Sequence, residues 1–305
     1  MMTIIFILIA ALFFPGIILR SKSIFAGRKG PGLFQPLKDV ALLFQKGNVI
    51  STTTSAVFKI APAIGLASVL SALLVLPFGP FPAFISFDGD MVFFAYMLAL
   101  GKFFLILAAL DTGSAFEGMG ANREALYSLL TEPAFFILAG TLAMLTGYTS
   151  FNEILVGLYN PDNSYILIYS ILSVIILSQI MQVENSRLPV DDPKTHLELT
   201  MIHEVMILDY SGFDKALIHI TTWLKFALYS TLIFDVLIPV QWSFEIQLAL
   251  FALVIFFMAV YIGFIESFKA RHKLGRNPAF LFTISSMALL AFVVVLILTE
   301  KMILS

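Results

Sequence analysis

The 305-residue chain is 59% hydrophobic and only 12% charged, with a formal net charge of −2. Soluble domains carry roughly 25% charged residues, so this composition favours a membrane protein. With a net charge so close to zero, the chain has no overall positive electrostatic field that would attract nucleic acid. The chain has no cysteine, which excludes disulfides and any zinc or iron–sulfur cluster held by its own thiolates.

Eight apolar stretches approach the length of a transmembrane helix, about 20 residues. They are residues 2–19, 57–77, 90–110, 133–148, 164–183, 217–239, 246–267 and 279–299. The first cation, Arg20, follows the first stretch instead of preceding it, so we predict a retained helix and no cleaved signal peptide. The sequence thus predicts an all-α, polytopic membrane protein with a single integral-membrane domain, residues 1–305.

The cations between the apolar stretches follow an alternating pattern. Six Lys or Arg residues follow the first stretch, one follows the third, three follow the fifth and four follow the seventh, whereas none follows the second, fourth or sixth. Cytoplasmic loops of membrane proteins are enriched in Lys and Arg. The pattern therefore predicts a multi-pass protein of the cell (inner) membrane, with cytoplasmic long loops and both termini outside.

Two of these cationic segments have helical patterns. Residues 33–44 place Leu33, Leu37, Ala41 and Phe44 on one face, which predicts an amphipathic helix that lies at the membrane interface. Residues 195–210 are helical in propensity and apolar on most sides, so we expect them to pack against protein.

The segment between the third and fourth stretches is rich in acids. It holds Glu117, Glu124 and Glu132 with a single cation, Arg123, and Ser114 or Thr112 is suited to cap a helix. Glu132 falls at the predicted membrane boundary. This composition suits a proton-handling site, and a solvated loop with ion pairs explains it equally well.

Glu184 ends the fifth apolar stretch, where a carboxylate is costly and tends to be paired or functional. Prolines on both sides of Asp191 and Asp192 predict a rigid connection. The following histidines lack the Glu-x-x-His spacing of di-metal sites, so the sequence predicts no metal, haem or other cofactor.

Five further ionisable residues lie inside predicted helices. Lys102 and Lys225 are near the middle of their helices, which favours a functional role. Lys59 and Glu266 lie near helix ends and are predicted to extend to the interface. Asp235 lies nearer the outer side.

These motifs resemble subunit 1 of respiratory complex I. The resemblance rests on Glu184-x-x-Arg187-x-Pro189-x-Asp191, on Glu198-Leu199, on Asp209-Tyr210-Ser211-Gly212 and on the first loop, with Arg28, Gly30, Pro31 and Gln35. The compact spacing from Gly30 to Gln35 and the segments 110–114 and 120–125 are similar to the membrane-bound nickel–iron hydrogenase branch, which includes formate hydrogenlyase subunit 4 and the hydrogenase-4 membrane subunit.

The resemblance implies a non-catalytic subunit, without a redox centre, that attaches a soluble electron-transfer arm to the membrane and couples it to proton or sodium translocation. It implies soluble hydrogenase-like large and iron–sulfur small subunits and antiporter-like membrane subunits as partners. With the two intramembrane lysines, the predicted proton-coupling residues are Glu132, Glu184, Glu198, Lys102 and Lys225. The predicted arm-docking residues are Arg28, Gly30, Pro31, Gln35, Arg123, Arg187 and Asp191.

Two departures leave alternatives open. Lys194 and His196 stand where complex I has glutamates, and extra residues separate Glu198 from Tyr210. The alternative function is that of the quinone-site membrane subunit of a complex I-type NADH:quinone oxidoreductase. Both departures argue against quinone reduction. A stand-alone permease is a third hypothesis, but it does not explain the apolar inner segments, which look like a docking surface.

Overall fold

The computed structural model describes residues 2–159, 166–192 and 201–304. Within these residues the chain is helical and contains no strand. The helices in chain order are α1 (Met2–Phe25), α2 (Gln35–Phe44), α3 (Ala56–Leu74), α4 (Asp90–Asp111), α5 (Ala115–Thr146), α6 (Phe151–Leu158), α7 (Ile166–Glu184), α8 (His203–Met206), α9 (Gly212–Leu237), α10 (Phe244–Phe268), a 3₁₀ turn (Leu274–Arg276) and α11 (Asn277–Leu304).

The prediction of an all-α polytopic membrane protein is confirmed. Seven of the described helices are long and apolar enough to cross a bilayer, namely α1, α3, α4, α5, α9, α10 and α11. The remaining predicted span, residues 164–183, corresponds to α7, whose apolar part, Ile168–Glu184, is shorter. Among the seven, α9 is the most buried inside the chain, and it packs against α1, α2, α3, α7 and α10.

The boundary predicted for the fourth span is wrong. We predicted a membrane helix that begins after Pro133, but α5 runs without interruption from Ala115 to Thr146. A proline inside a helix removes one backbone hydrogen bond and bends the helix without necessarily ending it. The acidic segment before Pro133 is therefore the N-terminal part of a 32-residue helix and not a loop.

The predicted amphipathic helix is confirmed as α2. It packs against the rest of the chain through Pro36 and Val40, both buried. Of the face predicted to be apolar, Leu37 packs against the core, whereas Leu33 and Phe44 are partly exposed. Exposed apolar side chains on such a helix suit a position at the membrane interface, which stays a prediction.

The helix predicted over residues 195–210 is not found in the part that the structure describes. Between Met201 and Tyr210 only α8, a single turn, is helical, and residues 195–200 lie outside the described residues. The expected packing against protein is confirmed, because Val205 and Met206 are buried against α5. A Cβ atom at Gly120 of α5 would collide with the Val205 side chain, so this glycine permits the close approach.

Candidate functional site

A buried ion-pair cluster joins three helices at the middle of the chain. The Nζ atom of Lys102, on α4, lies 2.7 Å from Oε1 of Glu184, on α7, and 3.3 Å from Oε1 of Glu124, on α5. The side chains of Lys102, Glu184 and Glu124 are 6%, 9% and 6% exposed, respectively. Charged groups so far from water tend to be paired, and this lysine lies within ion-pair distance of both carboxylates. We call these three residues the Lys102 cluster.

The sequence predicted Lys102 and Glu184 as proton-coupling residues, whereas Glu124 was indicated only as part of an acidic segment and not as a member of that set. Glu124 lies one heptad after Glu117, and residues seven apart occupy the same face of an α-helix. That periodicity would have indicated Glu124 as an inward-facing acid, if the segment had been taken as part of a membrane helix.

Two small cavities lie on either side of the cluster, and both are lined by Lys102 and Glu184. The first has a volume of about 30 Å³ and also contacts Glu132 and Tyr229. The second, of about 40 Å³, also contacts Glu124 and Lys225. A cavity of this size holds one or a few waters when its walls are polar. The structure thus brings four of the predicted proton-coupling residues to two adjoining cavities.

Glu132 and Lys225 differ from the cluster in having no ion pair with any described residue. Each is partly buried and lines one of the cavities. They lie on opposite sides of the Lys102–Glu184 contact, so a proton passing from one cavity to the other would meet this contact. Glu198, the fifth predicted residue, lies outside the described residues.

A third and larger cavity, of about 230 Å³, is formed by α1, α2, α9 and the turn after α7. It shares Asn185, His203 and Thr222 with the second cavity. Its walls combine apolar side chains such as Trp223 with polar ones, among them Arg187. The three cavities therefore form a series that leads from the predicted inner loops to Glu132.

The turn after α7 is fixed by a second buried ion network. Nη1 of Arg187 lies 3.0 Å from Oε1 of Glu266, on α10, and Nζ of Lys22, on α1, lies 3.0 Å from Oε2 of the same carboxylate. The guanidinium of Arg187 also lies over the ring of Phe226, with its Cζ 5.0 Å from the ring centroid. The prediction that Glu266 extends to the interface is wrong, since its side chain is 1% exposed and forms ion pairs with two cations inside the chain.

Asp191 joins three segments on the same side of the chain. Its Oδ2 accepts hydrogen bonds from the backbone N–H groups of Ile202 and His203, and its Oδ1 lies 3.0 Å from Nη2 of Arg271. Burial raises the pKa of Asp191, while the hydrogen bond from His203 and the charge of Arg271 act in the opposite direction. This carboxylate therefore positions the start of α8 and the segment after α10.

The remaining predicted docking residues lie near the surface. Nη1 of Arg123 donates to the carbonyl of Met201, so this arginine also helps to hold the segment before α8. Arg28 and Pro31 are exposed, the carbonyl of Gly30 accepts from Arg20, and Gln35 donates to Asp39. Whether any of the seven contacts a soluble arm stays a prediction.

His203 makes the folding stability of the chain depend on pH. Burial lowers the pKa of His203 to about 3, with a further contribution from the nearby charge of Lys225, whereas an exposed histidine has a pKa of about 6.5. Between these values the unfolded chain takes up a proton that the folded chain does not, so folding stability falls as the pH decreases from about 6.5 towards about 3.

We expect His203→Gln to reduce the loss of thermal stability on acidification, because glutamine cannot take up that proton when the chain unfolds. The measurement is the unfolding midpoint of both proteins in detergent at a series of pH values. An unchanged slope for the variant would show that other groups cause the acid sensitivity.

No group of three or more His, Asp or Glu side chains arranged to hold a metal ion occurs among the described residues. The geometry instead defines a class of protein: a helical membrane protein whose buried lysine and glutamates lie beside small cavities. Such groups in membrane helices accompany ion or proton pathways.

The comparisons with known proteins identify the family. A family described as NADH dehydrogenase matches residues 1–298, and the chain belongs to this family. Hydrogenase-4 component C of Escherichia coli (strain K12) is 29% identical over 270 residues, which cover 87% of this chain and 83% of that protein. Formate hydrogenlyase subunit 4 of the same strain is 28% identical over 279 residues, covering 87% and 88%. These matches confirm the resemblance inferred from the loop motifs.

Two further comparisons found proteins with lower sequence identity to this chain. A subunit of the NADH-quinone oxidoreductase of Bordetella avium (strain 197N) is 24% identical over 212 residues, covering 66% of this chain and 58% of that protein. A chain of the membrane-bound sulfane sulfur reductase, an archaeal respiratory membrane complex, superposes with a TM-score of 0.81 over 96% of both chains at 18% identity. The latter similarity shows a shared fold. The relatives are subunits of larger complexes, so this multi-pass membrane protein is expected to have partner subunits.

Proposed function

We propose that this chain is the membrane-anchor and coupling subunit of an energy-converting hydrogenase-type complex, where it links electron transfer in a soluble arm to proton or sodium translocation. The observation that carries this proposal is the Lys102 cluster, which lies between two small cavities at the end of a series that begins at the inner loops. The relatives in hydrogenase-4 and formate hydrogenlyase support the type of complex.

The coupling mechanism follows from the position of Glu184. It is the last residue of α7, and the turn that follows it carries Arg187, which is tied to α1 and α10 through Glu266. A change of charge or conformation in the arm displaces this turn and lengthens the contact between Glu184 and Lys102. The Glu184 carboxylate then takes up a proton from the water of one cavity and releases it to the other when the contact forms again. This exchange of a proton changes the protonation equilibrium of Glu132 on one side and of Lys225 on the other.

The proposal includes the orientation and partners of the chain. The loops that carry the cations are cytoplasmic, both termini are outside, and the inner surface around α8 and the first loop receives the arm. A hydrogenase-like large subunit and an iron–sulfur small subunit form that arm, and antiporter-like membrane subunits receive the coupled ion.

Purification of the tagged full chain from its native membranes in mild detergent tests the assignment. We expect mass spectrometry of the purified material to identify a hydrogenase-like large subunit with iron–sulfur and antiporter-like subunits. A control purification from untagged membranes removes background proteins. Reproducible recovery of the chain alone, as an active monomer, would contradict the proposal and favour a permease.

The lining of the third cavity is the observation that supports a second candidate, the quinone-site subunit of a complex I-type NADH:quinone oxidoreductase. The volume of this cavity, about 230 Å³, argues against that candidate, because ligand pockets typically have about 300–1,000 Å³. Two partly buried histidines, His203 and His219, line it beside apolar groups. Recovery of NADH-oxidising subunits in the same purification would establish this alternative in place of the first.

A further inference from the structure

A further buried acid, Asp235, lies near the C-terminal end of α9, away from the Lys102 cluster. Asp235 follows Lys225 by ten residues on α9, a separation of about 15 Å along the helix axis. This residue is 2% exposed. Oδ1 accepts one hydrogen bond, from the backbone N–H of Gly79 at 3.2 Å. Oδ2 has no partner in the described part of the chain, and no described cation lies within ion-pair distance.

The amide of Gln247, on α10, has a defined orientation beside the same glycine. Its Nε2 donates to the carbonyl oxygens of Val240 at 2.8 Å and Trp242 at 2.9 Å, so the two ends of the amide cannot be exchanged. Oε1 therefore faces the opposite way, and a Cβ atom added to Gly79 would collide with it. This oxygen is buried and receives no hydrogen bond from any described residue.

Two buried oxygens next to Gly79 thus lack a hydrogen. An ionised carboxylate with a single hydrogen bond and no cation is strongly disfavoured inside a membrane protein. A proton on Asp235 removes the charge and converts Oδ2 from an acceptor into a donor. The same proton then supplies the hydrogen that Oε1 of Gln247 lacks.

We propose that Asp235 and Gln247 form a proton-binding site, in which Asp235 is a neutral carboxylic acid that donates its Oδ2–H to Oε1 of Gln247. A bound metal cation is a poorer explanation, because hard cations take about six oxygen ligands. The carbonyls of Val240 and Trp242 already accept hydrogen bonds from Gln247, which leaves too few free oxygens at this position.

This site is separate from the Lys102 cluster. A small cavity of about 20 Å³ has Leu232 and Val236 of α9 and Phe135 of α5 among its walls, which are all apolar. Such a cavity remains dry. Asp235 lines neither this cavity nor the three cavities that lead to Glu132, so the proposed proton site is distinct from the coupling site.

Infrared spectroscopy of the full chain, purified with its associated subunits, tests the proposal. The spectrum of Asp235→Asn is subtracted from that of the wild type at several pH values around neutrality. We expect the difference to contain the C=O stretching band of a protonated carboxyl group, which shifts in D₂O and is unchanged across the neutral range. Asp88→Asn is the matched control, because Asp88 is an exposed acid on the same side and should give only carboxylate bands.

A second variant tests the role of the amide and retains Asp235. In Gln247→Leu the acid loses its acceptor, so its C=O band should move towards that of a weakly hydrogen-bonded carboxyl group. An unchanged band position would overturn the pairing with Gln247. Loss of carboxylate bands in Asp235→Asn, or thermal stabilisation of the wild type by sodium chloride that this variant lacks, would overturn the proton site in favour of an ionised acid or a cation site.

Discussion

Glu184→Gln is expected to reduce ion translocation by the assembled complex by about ten- to hundredfold, while electron transfer in the soluble arm continues. The variant keeps the shape of the side chain but removes the charge that holds Nζ of Lys102 at 2.7 Å. A hydrogen bond between charged groups contributes about 1.5–3 kcal/mol, and about 1.4 kcal/mol corresponds to a factor of ten. The measurement is ion uptake into membrane vesicles together with the rate of electron transfer in the same preparation.

Glu153→Gln is the matched control for this experiment. Glu153 lies on α6, is exposed, and lines neither of the two cavities beside the Lys102 cluster. It undergoes the same chemical change without affecting a buried ion pair, so transport should stay at the wild-type level. If Glu184→Gln also transports ions at that level in a fully assembled complex, then the proposed coupling role is wrong.

The second large effect is expected for Lys102→Met, which leaves Glu124 and Glu184 buried without a cation. Removing one partner of a buried ion pair costs about 3–5 kcal/mol, because the remaining charge is uncompensated. We expect a lower unfolding temperature at neutral and alkaline pH. Acidification protonates the two glutamates and removes the uncompensated charge, so the deficit relative to the wild type should shrink at low pH.

Two control variants show whether the loss of the charge causes this result. Lys59→Met removes an exposed lysine from α3 and should change the unfolding temperature little at any pH. Lys102→Arg keeps the positive charge and should recover part of the lost stability. A deficit in Lys102→Met that is the same at acidic and alkaline pH would show that lost packing, and not charge compensation, is the cause.

Long apolar segments and charge alternation were sufficient to predict the helical class and most spans. Apolar runs in this chain are separated by polar segments, and their lengths match the bilayer. The apolar pattern misplaces the end of a membrane helix when that helix contains charged residues. In α5, Glu117, Glu124 and Glu132 made the N-terminal half look like a loop, because the pairing of Glu124 with Lys102 of α4 is not visible in the local sequence.

The pairing within the site could not be predicted for a related reason. Lys102 is 82 residues from Glu184 in the chain, and only the packing of α4, α5 and α7 brings the three charges together. The sequence indicated that a carboxylate at the end of α7 must be paired, but it did not indicate which cation pairs with it. Likewise, Glu266 looked like a helix-end residue until α1 and the turn after α7 placed Lys22 and Arg187 beside it.

The length of α5 has a mechanical consequence. At about 1.5 Å per residue, its 32 residues extend over about 48 Å, well beyond the roughly 30 Å hydrocarbon layer. Pro133 divides it into an N-terminal arm, which contacts α8, and a C-terminal arm. Glu124 lies nine residues from Pro133, about 14 Å along the helix axis, whereas Glu132 is the neighbour of Pro133. A displacement of α8 that tilts the N-terminal arm about Pro133 would therefore move Glu124 relative to Lys102 of α4 and leave Glu132 almost in place.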